Sequence, residues 1–340
     1  MRRVICFDDV LLMPKYSEVR TREDIDLSNI LSADSPLKFS LPIIAAPMDT
    51  VTETEMAVAM HRAGGLGIIH RYNSIEEQAD LIHDACMEGM CNVGGAVGVS
   101  GNYLERSRAI VSAGANLLCI DIAHGHHKMM CDALHNLRNI FGGRVHLMAG
   151  NVATLEAFND LADWGADSIR VGVGGGSICS TRTQTGHGVP TLQSVIDCAR
   201  SDRDVALVAD GGIKNSGDMV KALAAGADFV MCGSLLAGTD ETPGKIVYFE
   251  GEKRKTYRGM ASREAQTSWR GRIGSVEGVS TMVAMRGRVS DVLHELEWGI
   301  RSGLSYAGAC NLMELRVRCD FLEQTQSSQV ESLPHALLKL

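Results

Sequence analysis

The chain has 340 residues, of which 45% are hydrophobic and 22% charged, and its net charge is −8. That length and composition suit one large α/β domain with a full core. The acidic balance, with no Lys/Arg block, argues against a nucleic-acid partner, and no apolar run approaches the roughly 20 residues of a membrane span.

The N-terminal stretch Met1-Arg-Arg-Val-Ile-Cys-Phe-Asp-Asp9 meets acidic residues at once and shows no signal-peptide apolar region. The ten cysteines are scattered, with no Cys-x-x-Cys pair. This predicts a reduced, cytoplasmic protein in which most thiols are small core residues, without a disulfide framework or a zinc site.

After residues 1–40, read as an N-terminal extension, short apolar runs alternate with amphipathic stretches. The expected strands are Ile43–Ala46, Gly67–His70, Val93–Val97, Leu117–Asp121, Val145–Ala149, Ser168–Val171, Val205–Asp210 and Phe229–Cys232. An internal echo supports them. Ala113-Gly-Ala-Asn116, Trp164-Gly-Ala-Asp167 and Ala225-Gly-Ala-Asp228 each end a helix with its natural terminal glycine and open a strand. Eight strand–helix units predict an α/β fold of the (β/α)8 TIM-barrel type, one catalytic domain over residues 1–340. A doubly wound sheet would need a dinucleotide fingerprint after its first strand, which instead ends Ala45-Ala-Pro-Met-Asp49. Residues 239–288, between the last strand and a helix near Ser290, read as a long polar loop serving as a flap. Residues 323–340 read as a tail or partner-docking arm.

In a barrel of this type, chemistry sits at the C-terminal ends of the strands. Strand six is followed by Gly172-Val-Gly-Gly-Gly-Ser-Ile-Cys-Ser-Thr-Arg182. A glycine run exposes backbone N–H groups that hold anions, and a cysteine on such a loop, at a strand's C-terminal end, is not core filler. Gly212 after strand seven, Gly233 and Ser234 after strand eight, and the Ser177 hydroxyl would cradle a phosphate, with Asp210 accepting from ribose hydroxyls. Met48 and Met260 stand where an aromatic base could stack. His124, His126 and His127 share a loop without a carboxylate or thiol at ligand spacing, so no metal is expected there. His187 reads as a loop histidine.

These residues together resemble the IMP dehydrogenase/GMP reductase family. The likeness is carried by Phe7-Asp-Asp-Val-Leu-Leu12, Pro47-Met-Asp-Thr-Val-Thr-Glu53, Asp121-Ile-Ala-His-Gly125, Gly150-Asn-Val152, Gly174-Gly-Gly-Ser-Ile-Cys179, Ala209-Asp-Gly-Gly212, Gly233-Ser-Leu-Leu-Ala-Gly238, Tyr257-Arg-Gly-Met260, Glu277-Gly278 and Arg301-Ser-Gly303 with Tyr306. The resemblance implies a purine mononucleotide, GMP or IMP, and a nicotinamide dinucleotide on one barrel. Cys179 would attack purine C2, while Thr181 and Glu277 would handle the proton and the amino group. The phosphate would lie on Ser177, Gly212, Gly233, Ser234 and Tyr257, with Gly176 and Gly211 beside the mononucleotide and Asp210 on the ribose. Gly259, Met260 and Ala261 would contact the base, and Met48 would pack nearby. Asp121, Asn151, Arg170 and Gly172 match the nicotinamide side. The carbonyls of Gly174, Gly176 and Cys179 would bind potassium, completed by the Glu331–His335 segment of a neighbouring subunit in a homotetramer or larger assembly.

Two features of the resemblance favour GMP reductase with NADPH. Ala85–Asn92 closes the place where many IMP dehydrogenases carry a CBS-pair insertion, and no Arg-Tyr dipeptide lies between Met260 and Glu277. Other stretches, Asp121–His126, Ala209–Ile213 and Glu331–His335, look closer to dehydrogenases. Typical reductases also have Asn at the position of His124 and Gly at that of Ser234. The alternative is therefore a CBS-less IMP dehydrogenase using NAD. A flavin-mononucleotide barrel would share the cradle but leave Cys179 without a role.

Overall fold

Eight parallel strands close on themselves in chain order: Ile43–Ala45, Leu66–Ile69, Gly94–Val97, Leu117–Asp121, His146–Val152, Ser168–Val171, Ala206–Asp210 and Phe229–Cys232. The last pairs with the first through Val230↔Ile43. This computed structural model describes residues 2–32 and 37–334. The barrel is a (β/α)8 TIM barrel, and its strands are apolar on both faces because both are covered. Ile44, Ile68, Leu117, Cys119, Met148, Val208 and Phe229 pack within the barrel. Their alternates, such as Ile43, Ile69, Leu118, Leu147, Ile169 and Leu207, pack against the helices. Phe39 and the Phe229 ring meet edge to face, with centroids 5.9 Å apart.

The same alternation places the two polar residues of strand six. Ile169 and Val171 join the helix-facing core. Ser168 and Arg170 therefore point inward, one at the floor and the other at the catalytic mouth.

Helix starts follow local capping chemistry. Ser74 and Glu77 form a reciprocal capping box before Ile75–Met87, and Thr154 accepts from Ala157 N ahead of Leu155–Asp163. The sequence echo proves to be a floor device. Asn116 Oδ1 accepts from Val93 N at 3.0 Å, Asp167 Oδ2 from Leu147 N at 2.7 Å, and Asp228 Oδ2 from Leu207 N at 2.7 Å. Each polar side chain ties the start of its own strand to that of a neighbour.

Four expectations need correction. The segment 239–288 is not a plain loop. It holds a three-stranded antiparallel sheet of Val247–Phe249, Glu252–Arg258 and Ser280–Ala284, with the helix Arg263–Arg270 between the second and third strands. Buried Lys255 anchors it by donating to the carbonyls of Thr239, Asp240 and Thr242. The C-terminal segment is not a free arm from residue 323. Phe321–Glu323 pairs antiparallel with Val10–Leu12, and a helix follows at Gln326–Glu331. His335 and the residues after it lie outside the described residues. Strand five runs on to Val152, so Gly150 and Asn151 lie within it, where the register to strand six shifts. Finally, only Cys119, Cys198 and Cys232 of the ten thiols are buried, because many of the others sit on turns and helix faces turned outward.

Candidate active site

The glycine loop after strand six packs backbone to backbone against the end of strand seven. A Cβ on Gly172, where φ is 149°, would lie 1.9 Å from the Asp210 carbonyl oxygen. One on Gly211, at φ 93°, would lie 3.0 Å from Gly176 N. Only glycine permits both the backbone angle and the approach. The loop then delivers Cys179 to the mouth, where its thiol lies 3.2 Å from Thr181 Oγ1, which donates to Glu277 Oε2 at 2.9 Å. The three residues expected to do the chemistry thus form one hydrogen-bonded chain.

Glu277 arrives on the flap, and backbone bonds sew the flap to the loop. Ser180 N donates to Glu277 O at 2.9 Å and Val279 N to Ile178 O at 3.0 Å, while Glu277 N donates to Ala261 O at 3.1 Å within the flap. A cavity of about 490 Å³ lies beneath. Its walls include Met48, Gly172, Gly174, Gly176, Cys179, Thr181, Gly211, Gly259, Met260, Ala261 and Glu277.

One wall is a buried charge network. Arg170 reaches Asp121 Oδ1 at 2.7 Å with one terminal nitrogen and Asp210 Oδ2 at 2.9 Å with the other. Asn151 Nδ2 adds a bond to Asp210 Oδ2 at 2.8 Å. All of these address one oxygen of Asp210, while Oδ1 takes no hydrogen bond from a described residue, so the carboxylate is fixed with an acceptor to spare. Burial works against the Asp121 carboxylate, but Arg170 and then Arg71 more than offset it and lower its pKa. Burial likewise opposes the Arg170 charge, and Cys119, Asp121 and Asp210 outweigh it, raising its pKa. Asn151 Oδ1 is buried without a partner, an acceptor free for a carboxamide or hydroxyl in the cavity.

The expected phosphate cradle gathers at one end, around the Tyr257 hydroxyl. Ser177 Oγ is 3.5 Å from it, and a Cβ on Gly233 would lie 3.1 Å from it and 3.0 Å from Met48 Sδ. Burial raises the Tyr257 pKa while hydrogen bonds with Ser177 and Ser234 pull it down, so the phenol remains a donor. Gly212 stands close to the Gly175 carbonyl. Ser177, Gly212, Gly233 and Ser234 are not on the main cavity wall itself. Asp49 turns away to pair with Arg258. His126 bonds Asp160 at 2.7 Å and stacks on Trp164, a structural use of the histidine loop. Burial, then His126 and His127, lower the pKa of His124.

Among the wall residues that escaped the sequence reading are Arg71, Tyr72 and Gln266. Arg71 and Tyr72 directly follow strand two, so the rule that ligands sit at strand C-terminal ends could have found them. Gln266 had no such signal. It shapes the flap by donating to the carbonyls of Ala261 and Ser275 and accepting from Gly274 N.

Comparison with known proteins points to one family. A family model described as IMP dehydrogenase / GMP reductase domain matches residues 4–335. The inosine-5'-monophosphate dehydrogenase of Nitrosopumilus maritimus (strain SCM1) is 34% identical, with 98% of this chain and 98% of that protein covered. The GMP reductase of Leishmania major is 32% identical, with 99% and 97% covered. Among solved structures, a GMP reductase variant from Trypanosoma brucei in complex with guanosine 5'-monophosphate superposes with a TM-score of 0.92. It is 30% identical and covers 99% of each chain.

Proposed function

The chain belongs to the IMP dehydrogenase/GMP reductase family, and we propose that within it the chain is a GMP reductase, converting GMP to IMP and ammonia with NADPH. The observation that carries this reading is the chain from Cys179 through Thr181 to Glu277, which puts a proton-handling carboxylate beside the nucleophile. The flap around it presents no Arg-Tyr pair to activate a water.

GMP would sit with its phosphate on the Tyr257 end, its ribose on Asp210 Oδ1 and its base between Met48 and Met260. The Cys179 thiol gives up its proton and its sulfur bonds to purine C2. Glu277, through Thr181, returns a proton to the C2 amino group, and the carbon–nitrogen bond breaks to release ammonia. A thioimidate to Cys179 remains. A reduced nicotinamide held beside Asp121 and Asn151 would supply the hydride to C2, and cleavage of the carbon–sulfur bond would return the Cys179 thiolate. The dinucleotide fits this mouth through Asp121, fixed by Arg170, and through the spare acceptor of Asn151. Arg170 acts by holding Asp121 and Asp210 in place together.

Potassium fits the donors less well. The Arg182 guanidinium stands against Gly174 and donates to the carbonyls of Val173 and Val189, so a cation already serves this loop, and the Gly176 carbonyl accepts from Cys179 N at 3.1 Å. The tail is tied to its own chain at Gln324, which donates to the carbonyls of Asp8 and Asp9. No step is routed through a bound cation. A homotetramer remains our reading of the assembly, and the exposed Tyr16, Tyr306, Met313 and Val317 offer apolar surface for it. No helix among the described residues is long and apolar enough to cross a membrane.

The test is absorbance at the nicotinamide band in both directions. GMP with NADPH should turn over at least about a hundredfold faster than IMP with NAD. The reverse ranking would make the chain a dehydrogenase.

A further inference from the structure

The flap helix Arg263–Arg270 lies over the catalytic mouth, and Ala265 and Gln266 are the buried residues among those described in it. Ser262 Oγ caps its start by accepting from Ala265 N at 3.2 Å, and Gly271, at φ 61°, ends it. Gln266 is only 3% exposed. A buried leucine on such a helix would be ordinary packing, whereas a buried amide needs partners and shows where the fold spends them.

The partners all lie on the path to Glu277. Gln266 Nε2 donates to the carbonyls of Ala261 at 3.0 Å and Ser275 at 2.7 Å, and Oε1 accepts from Gly274 N at 2.7 Å. Both amide hydrogens and the amide oxygen are thereby used. Residues 271–275 are exposed and lack regular structure. Among the described residues, the hydrogen bonds that reach residues 272–276 both come from Gln266. At the other end, the Ala261 carbonyl that takes Gln266 Nε2 also takes Glu277 N, at 3.1 Å. One side chain therefore fixes the strap leading into Glu277 and the carbonyl from which Glu277 itself hangs. On the far side the chain is already secured, since Gly278 bridges both Cys179 and Ser262. Gln266, Gly274, Ser275 and Glu277 share the wall of the catalytic cavity.

Resting on the reading of Glu277 as the proton-handling carboxylate, we infer that Gln266 is a positioning residue for it. Its amide sets the strap 274–276 so that Glu277 Oε2 meets the Thr181 hydroxyl, which stands 3.2 Å from the Cys179 sulfur. Without that amide the strap loses both of its bonds, and the carboxylate approaches Thr181 from a segment that nothing else fixes. A displacement of about 1 Å at such a group costs on the order of 10²-fold in rate. The mononucleotide contacts expected of Tyr257, Gly259 and Met260 lie on a different run of the flap, the strand Glu252–Arg258 and the turn after it, so binding and rate should separate.

A double-mutant cycle with Glu277→Gln tests this on the full chain. Gln266→Met keeps the length of the side chain and removes its hydrogen bonds. It should lower kcat at least about tenfold, with GMP affinity by calorimetry within about threefold and an unchanged melting temperature. Gln266→Glu keeps the acceptor for Gly274 N but turns a carboxylate toward two carbonyl oxygens, and it should lose at least as much. In the Glu277→Gln background, Gln266→Met should lower kcat by less than about threefold further, because the group it positions is already disabled. Where the methionine variant melts early, Gln266→Glu carries the same cycle. A loss that multiplies in full with that of Glu277→Gln overturns the inference. So does a Gln266→Glu variant with the parental rate, or a loss of GMP affinity that matches the loss of rate, which would make Gln266 a support for the flap at large. Both directions of turnover are followed in the parent. A parent that oxidises IMP with NAD and reduces no GMP sinks the reductase reading alone, and the cycle is then read with IMP. A parent that reduces GMP while the two losses multiply sinks the positioning role alone.

Discussion

Asp228 and Asp210 stand at opposite ends of the same barrel and are held in opposite ways. At the floor, Asp228 Oδ2 takes the Leu207 amide and Oδ1 the Arg316 guanidinium, both at 2.7 Å. This acid is spent on a strand start. At the mouth, Asp210 receives Arg170 and Asn151 on a single oxygen, and buried Asn151 Oδ1 has no hydrogen-bond partner. A polar group tied on every side stabilises the fold. One tied on a single side is oriented and keeps bonding capacity for a ligand, at some cost in stability.

Substitutions at the two ends should therefore separate rate from stability. The largest effect is expected of Cys179→Ala, which removes the sulfur that bonds to C2. Turnover should fall by about 10⁴-fold or more, with GMP affinity by calorimetry within about threefold and an unchanged melting temperature. A variant that keeps a few per cent of the rate would remove Cys179 from the nucleophile role.

Glu277→Gln keeps the shape and the bond from Thr181 but loses the proton acceptor. The rate at saturation should drop by about 10²- to 10³-fold, while GMP binding persists. Weakened binding with an intact saturated rate would turn Glu277 into a binding residue.

The smallest effect belongs to the floor and concerns stability alone. Burial pushes the His146 pKa down from 6.5 to about 4, and the ring bonds Ser168 Oγ at 2.7 Å. Between these values the unfolded chain takes up a proton that the folded chain refuses. Stability is thus intact above about pH 6.5 and is lost as pH falls toward 4, by up to about 3 kcal/mol. Urea unfolding at pH 7.5 and pH 5 should show part of that loss, and His146→Gln should flatten it. An equal slope in the variant would assign the acid sensitivity elsewhere.

How much of this was legible beforehand varies with how local the cause is. The eight strands, the glycine loop and the Gly-Ala-Asp echo were readable because their causes are local. A strand covered on both faces must be apolar along its length, and a backbone at φ 149° or 93° must be glycine. Cys179, Thr181 and Glu277 were identifiable as residues, yet Thr181 and Glu277 are 96 positions apart, and only the folded flap makes them partners. The misread segments failed for the same reason. Val10–Leu12 and Phe321–Glu323 are too short to read as strands until the closed barrel brings the two chain ends together. The flap's strands are paired chiefly with one another, and the apolar runs that mark two of them, Ile246–Phe249 and Met282–Met285, are short and largely exposed.

The residue order by itself determined the barrel, its mouth and the chemistry-bearing types, since periodicity, glycine and turn signals act over a few neighbouring residues. Tertiary structure alone decided which side chains share a charge. Arg170 became the bridge between Asp121 and Asp210 because strand alternation turned it inward and barrel closure set both acids beside it. Tyr72 and Trp269 likewise came to stack, with ring centroids 5.5 Å apart, because the flap folds back across nearly 200 residues of chain.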